Sequence, residues 1–268
     1  MAETTGIEWC DATFNPWIGC TKVSPGCDDC YAARSTPART QHVVWGPGQP
    51  RHRTGIANWK QPIAWNNAAL SFELEHKRRR RVFCASLADV FDNEAPPQWR
   101  GELWALIRQT SKLDWLLLTK RIGNVKGMLP ADWGDGYPNV WIGATVINQE
   151  ETDRDIPKLL ATPARVRFLS IEPMLGPIDL RLESRNDIAR WDGKGRDLPL
   201  RRIDWVIAGG ESGRHARPMH PDWAVSVEKQ CRVAGVPFFM KQMGGARDKR
   251  GAFADLPKDL RIREFPRA

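Results

Sequence analysis

Three of the chain's cysteines fall within eleven residues, in the run Gly19-Cys20-Thr21-Lys22-Val23-Ser24-Pro25-Gly26-Cys27-Asp28-Asp29-Cys30-Tyr31. The spacing is Cys-x6-Cys-x2-Cys, with an aromatic directly after the last thiol. Three thiolates on a loop bent by glycine and proline can hold a four-iron cluster by three corners, leaving one iron open for chemistry. The pattern also allows a closed zinc site. Cys27-x2-Cys30 is a zinc-type pair, Cys20 would be a third ligand, and Cys10 or His42 the fourth.

Further along the chain, reactive side chains follow short apolar runs. Val82-Phe83-Cys84-Ala85 leads to Ser86 and Asp89, and Trp115-Leu116-Leu117-Leu118 to Thr119-Lys120-Arg121. Val140-Trp141-Ile142-Gly143 leads to Thr145 and Asn148, and Val166-Arg167-Phe168-Leu169 to Glu172. Trp205-Val206-Ile207-Ala208 leads to Gly209-Gly210-Glu211-Ser212, and Pro237-Phe238-Phe239-Met240 to Lys241-Gln242. Such short runs, rich in β-branched and aromatic residues, read as buried parallel strands. Helical patterns are expected between them at Pro97 to Ser111, Gln149 to Leu160 and Pro221 to Ala234, the last stopped by Gly235.

Strand and helix in repeated alternation imply parallel strands joined by right-handed crossovers. An open doubly wound sheet and a barrel both satisfy that order. Polar tips after six strands favour a barrel, in which all strand C-termini open on one face. The fold class predicted is α/β, a partial (β/α) TIM-like barrel of about six to eight parallel strands. One domain over residues 1–268 is expected, with the thiol loop at 19–31, a basic insertion at 176–202 and an irregular stretch at 34–64.

Composition sets the class. The 268 residues are 41% hydrophobic and 27% charged, as in ordinary globular proteins. No apolar run approaches the roughly 20 residues that span a bilayer, and the polar start lacks the pattern of a signal peptide. Cytoplasmic residence is the expectation. Six cysteines without an export signal favour metal or redox chemistry over a disulfide framework. The net charge of +8, with the run Lys77-Arg78-Arg79-Arg80-Arg81, favours a polyanionic partner or makes solvated basic faces. Most of the thirteen tryptophans are expected to pack, and a few to stack on bases.

The Cys-x6-Cys-x2-Cys-Tyr stretch resembles a widened form of the radical S-adenosylmethionine (radical SAM) motif, usually Cys-x3-Cys-x2-Cys followed by an aromatic. More closely, the chain resembles a radical-SAM-like family of phage and bacterial proteins of unassigned function. The matching segments are Ile7-Glu8-Trp9, Asn15-Pro16, Gly19 to Cys27, Leu116 to Arg121, Ser170-Ile171-Glu172-Pro173 and Gly209-Gly210-Glu211-Ser212-Gly213. The order of motifs is also similar to spore-photoproduct-lyase-like enzymes. In those an Asp-containing loop after the second strand and a Thr-Lys pair after the third line the cofactor pocket. Ala85 to Asp92 and Thr119-Lys120 stand in those places here.

The resemblance implies a [4Fe-4S] cluster on Cys20, Cys27 and Cys30, and S-adenosyl-L-methionine as cofactor, cleaved reductively to a 5′-deoxyadenosyl radical. It implies an electron donor such as a flavodoxin or ferredoxin, and a nucleic acid or nucleotide as substrate. Lys120 or Arg121 would pair the methionine carboxylate. Asp89 or Glu211 would accept from the amino group or ribose, and Tyr31 would lie beside the adenine. Ser86, Thr119, Gly209, Gly210 and Ser212 would complete the cofactor pocket. Glu172 is a substrate or ribose carboxylate, or a partner of Arg165 or Arg167. Cys84 is a buried thiol or a hydrogen-atom donor. Two rival functions stand beside this one: a zinc-stabilised nucleic-acid-binding protein without catalysis, and a metal-dependent barrel hydrolase using Asp89, Glu172 and Glu211.

Overall fold

The computed structural model describes residues 5–182 and 202–267. In chain order the elements are β1 (Ala12–Phe14), β2 (Trp17–Ile18), α1 (Thr36–Thr40), β3 (His52–Arg53), α2 (Ile56–Asn67), α3 (Ala69–His76), β4 (Arg80–Cys84) and α4 (Pro97–Gln109). They continue with β5 (Leu113–Thr119), α5 (Ile122–Met128), β6 (Val140–Thr145), α6 (Gln149–Ala161), β7 (Val166–Ile171), β8 (Trp205–Gly209), α7 (Pro221–Val233) and β9 (Phe238–Gln242). The fold is α/β, a partial (β/α) barrel with seven strands in the order β1-β4-β5-β6-β7-β8-β9. The ladders β1·β4, β4·β5, β7·β8 and β8·β9 are all parallel. β2 and β3 form a small antiparallel pair.

The six apolar runs are all strands, and the three expected helices form within one or two residues of their expected ends. Their side chains explain why. Every residue of β6, β7 and β8 is buried, as strands covered on both faces must be. Pro221 opens α7 at its first position, where the missing N–H costs nothing. Asn148 caps α6, its Oδ1 accepting the Glu151 N–H at 2.9 Å, and Glu151 Oε2 reaches back to the Ile147 N–H at 3.2 Å. Asn148 is thus a helix cap at a strand tip.

The stretch 34–64 is not irregular throughout: it holds α1, β3 and the first turns of α2. Pro62 lies inside α2 and breaks the sequence pattern without ending the helix. Of the expected insertion 176–202, residues 183–201 lie outside the described residues.

The chain divides into two compact units, Met1–Gly143 with Pro163–Arg165, and Ala144–Thr162 with Val166–Ala268. In the first, Trp9, Phe14, Trp17, Phe91 and Trp115 are fully buried. In the second, Phe168, Trp205, Phe238 and Phe239 are. Among the described residues eight tryptophans are buried, and Trp45, Trp59, Trp99 and Trp223 are half-buried. No described helix is long and apolar enough to cross a membrane.

Candidate functional site

The thiol loop belongs to the first unit. It leaves β2 through Gly19, whose N–H donates to Leu87 O at 3.1 Å and ties the loop to the segment after β4. Ser24 Oγ accepts the Gly26 N–H and starts a 3-10 turn, Pro25–Cys27, and a second turn follows at Tyr31–Arg34. Cys27 is buried; Cys20 and Cys30 are half-buried, and all six cysteines are free thiols. Cys30 packs beside the small cluster of Ile18, Ala32, Ala38 and Leu87.

Beneath Cys20 lies a buried charge network that joins the loop to the ends of β4 and β5. Arg121 donates to Cys20 Sγ at 3.2 Å, to Asp89 Oδ2 at 3.2 Å and to Thr21 O. Asp89 also accepts from the Thr119 hydroxyl at 2.8 and 2.9 Å, the Lys120 N–H at 3.2 Å and the Phe91 N–H at 2.9 Å. Burial pushes the Cys20 thiol up to about 12, with Asp89 adding to the rise and Arg121 opposing it. Such a thiol stays protonated at neutral pH until a cation supplies the charge that its surroundings withhold.

A second arginine, overlooked in the sequence, completes the network. Arg51 has a side chain with no exposed surface. It donates to Asp92 Oδ2 at 2.7 Å, Thr21 Oγ1 at 2.7 Å, Glu94 Oε2 at 3.1 Å and the carbonyls of Gly46 and Gln49. Nothing local in the sequence marks it, because its carboxylate partners Asp92 and Glu94 lie 41 and 43 residues along the chain. Arg100 adds two bonds from α4, to Val90 O and Asp92 O, both at 2.8 Å.

Of the residues named for this unit, Cys20, Asp89, Thr119, Lys120 and Arg121 come together. Ser86 meets Asn15 through its hydroxyl at 3.0 Å, and its carbonyl accepts from the half-exposed Tyr31 hydroxyl at 2.9 Å. Cys84 is fully buried in β4, and that burial alone pushes its thiol up. The donor set of three free thiols suits an iron–sulfur cluster in its chemistry. Among the described residues, however, no three metal-ligating side chains are drawn together.

The second unit places the other named residues at the ends of β7, β8 and β9. Glu211 forms a bidentate pair with Arg217, at 2.6 and 2.9 Å, and also accepts the Arg217 N–H at 2.9 Å. Both its oxygens are therefore engaged. A Cβ on Gly210 would lie 2.1 Å from Met243 O, so this glycine admits a neighbouring backbone rather than a ligand. Ser212 and Gly245 form a further parallel bridge. Glu172 pairs with Ser170 and Lys241.

Fold and site together define an α/β protein whose parallel strands carry a three-thiol loop, held from below by a buried arginine–carboxylate network. The chain belongs to the family described as Protein of unknown function (DUF5131), whose model matches residues 4–261. No curated protein and no solved structure matches it.

Proposed function

We propose that this chain is a cytoplasmic radical S-adenosylmethionine enzyme with a [4Fe-4S] cluster on Cys20, Cys27 and Cys30. The observation that supports it is a loop of three free thiols beside the C-terminal ends of parallel strands, tied there by Arg51 and Arg121. When bound, the cluster and cofactor supply one-electron reductive cleavage of a sulfonium. The chain's own residues do the positioning. Asp89, fixed by Thr119 and two backbone N–H groups, holds the Arg121 guanidinium against Cys20. Arg121 offsets part of the burial and of the Asp89 charge that keep the Cys20 thiol protonated, and a bound cation would supply the rest. Arg51 clamps Thr21, the residue after Cys20, and so limits how far that thiol can move. The substrate is a nucleic acid or nucleotide, in keeping with the net charge of +8.

The test is anaerobic reconstitution with iron and sulfide, followed by dithionite and S-adenosylmethionine. A brown chromophore with about four irons per chain is expected, together with release of 5′-deoxyadenosine. Both should vanish when Cys20, Cys27 and Cys30 are changed to alanine. One tightly bound zinc per chain with no visible absorption would instead establish the zinc-stabilised alternative. Metal-dependent hydrolysis that survives loss of the three thiols would establish the hydrolase.

A further inference from the structure

We infer that the ends of β6, β7, β8 and β9 form a second ligand site, which takes a nucleobase edge of the substrate through Thr145, Glu172 and Lys241. The inference deepens the proposed function by naming the part of the substrate that is read, and rests on it only in taking that substrate to be a nucleic acid or nucleotide. All of its residues lie in the second unit.

The Val146 N–H donates to Ser170 O at 3.2 Å. In a parallel ladder that bond sets Thr145 opposite Ser170, with both hydroxyls on one face of the sheet. Ser170 pairs onward with Ile207, and Ile171 with Ala208. Glu172, two residues past Ser170, reaches the same face above Gly209. A Cβ on Gly209 would lie 2.8 Å from Glu172 Oε1, so the glycine leaves the room in which that carboxylate sits.

Two buried oxygens on this face have no hydrogen-bond partner, Thr145 Oγ1 and Glu172 Oε1. Thr145 is only 2% exposed. The Ser170 hydroxyl donates to the other carboxylate oxygen, Oε2, at 3.1 Å. Lys241 Nζ lies 2.9 Å from Oε1 but off the line of a hydrogen bond. The ion pair balances charge and leaves Oε1 able to accept. Buried polar atoms without partners are few in folded chains, and two on one face point to an incoming group. Glu172 and Lys241 keep 14% and 18% of their side-chain surfaces exposed, which gives that group a way in.

Charge decides the class of ligand. Glu172 and Lys241 cancel, so an anion gains from the ammonium and loses against the carboxylate. A neutral group that accepts from Lys241 and donates to Glu172 gains from both. Nucleobase edges place a donor beside an acceptor in this way, and proteins that read unstacked bases use such edges. The Thr145 hydroxyl can serve as either partner.

The test is saturation-transfer NMR on the full-length protein before iron is added, with adenosine, guanosine, cytidine and uridine as probes. Binding of guanosine, cytidine or uridine is expected, weakened about tenfold by Glu172→Gln and by Thr145→Val, the loss of roughly one hydrogen bond. Lys241→Met, at a partly exposed position, gives the same readout if either buried variant fails to fold. No transfer to any nucleoside, or transfer unchanged in the folded variants, would overturn the inference. Binding of adenosine alone would assign the face to the cofactor and overturn it too. Because no iron is present, this result stands or falls apart from the cluster.

Discussion

Asp11 carries more of the first unit than its surface position suggests. It accepts two bonds from Arg78, at 2.6 and 2.8 Å, and the Arg81 N–H at 2.8 Å. Burial by itself would raise its pKa; the Arg78 pair and the Arg81 N–H outweigh burial and lower it below the ordinary aspartate value. A carboxylate lowered in the folded state contributes stability above its unfolded pKa and loses it as pH falls through the folded value. Asp11→Asn is therefore expected to cost about 1–2 kcal/mol at pH 7, allowing for partial solvent screening. That gap from wild type should close below the ordinary carboxylate range, as denaturant titrations from pH 7 down to about pH 3 would show. A gap that stays constant over that span would mean that Arg78 gains nothing from the charge. The same kind of balance holds at Cys20, where burial, Asp89 and Arg121 meet on one thiol. Three cysteines at close spacing were plain in the sequence. That Arg121 and Arg51 hold the loop was not, because their partners lie tens of residues away.

At the scale of elements, the two glycines that end β8 do different work. Alanine at Gly210 would meet Met243 O at 2.1 Å and Met243 C at 2.7 Å, both backbone atoms that cannot step aside cheaply. Alanine at Gly209 would meet the end of the Glu172 side chain, which can rotate away. Gly210→Ala is expected to destabilise by more than about 2 kcal/mol, and Gly209→Ala by clearly less. Thermal unfolding of the two variants side by side checks the order. Equal losses would show that Glu172 is held as firmly as backbone. The strands themselves were legible because each buried run carries its own apolar signature. β1 was not, since three residues, Ala12–Phe14, are too few to show a period. α2 was hidden by its internal Pro62 and its many polar residues. Adjacent glycines announced a close approach, but only the fold shows that the approaching group is the chain's own backbone.

For the whole molecule, the placement of charge matters more than its sum. The basic run after α3 is largely spent inside the first unit. Arg78 pairs with Asp11, and Arg79 donates to the carbonyls of Lys112 and Leu113 and pairs with Asp114. Arg80 lies 4.3 Å over the Phe72 ring, and Arg81 5.7 Å over Trp141. Four consecutive arginines thus serve as fasteners at the start of β4, whereas Arg247, Lys249 and Arg250 are exposed. Binding to a single-stranded oligonucleotide is expected to keep its salt slope in Arg79→Ala, and in Arg247→Ala the slope of log K against log salt should fall by about 0.7 for each phosphate contact removed. A drop in slope for Arg79→Ala would place that arginine on phosphate instead.

The order of apolar runs by itself determined the α/β class and the parallel succession of strands, because burying a strand on both faces demands a local pattern. The spacing of three thiols likewise set the choice between an open cluster and a closed metal site. Tertiary structure alone decided which charges are consumed: Glu211 by Arg217, Asp89 by Thr119 and Arg121, and the basic run by Asp11, Asp114 and aromatic rings. A charge's partner is fixed by distance in space, and distance in space leaves no local trace along the chain.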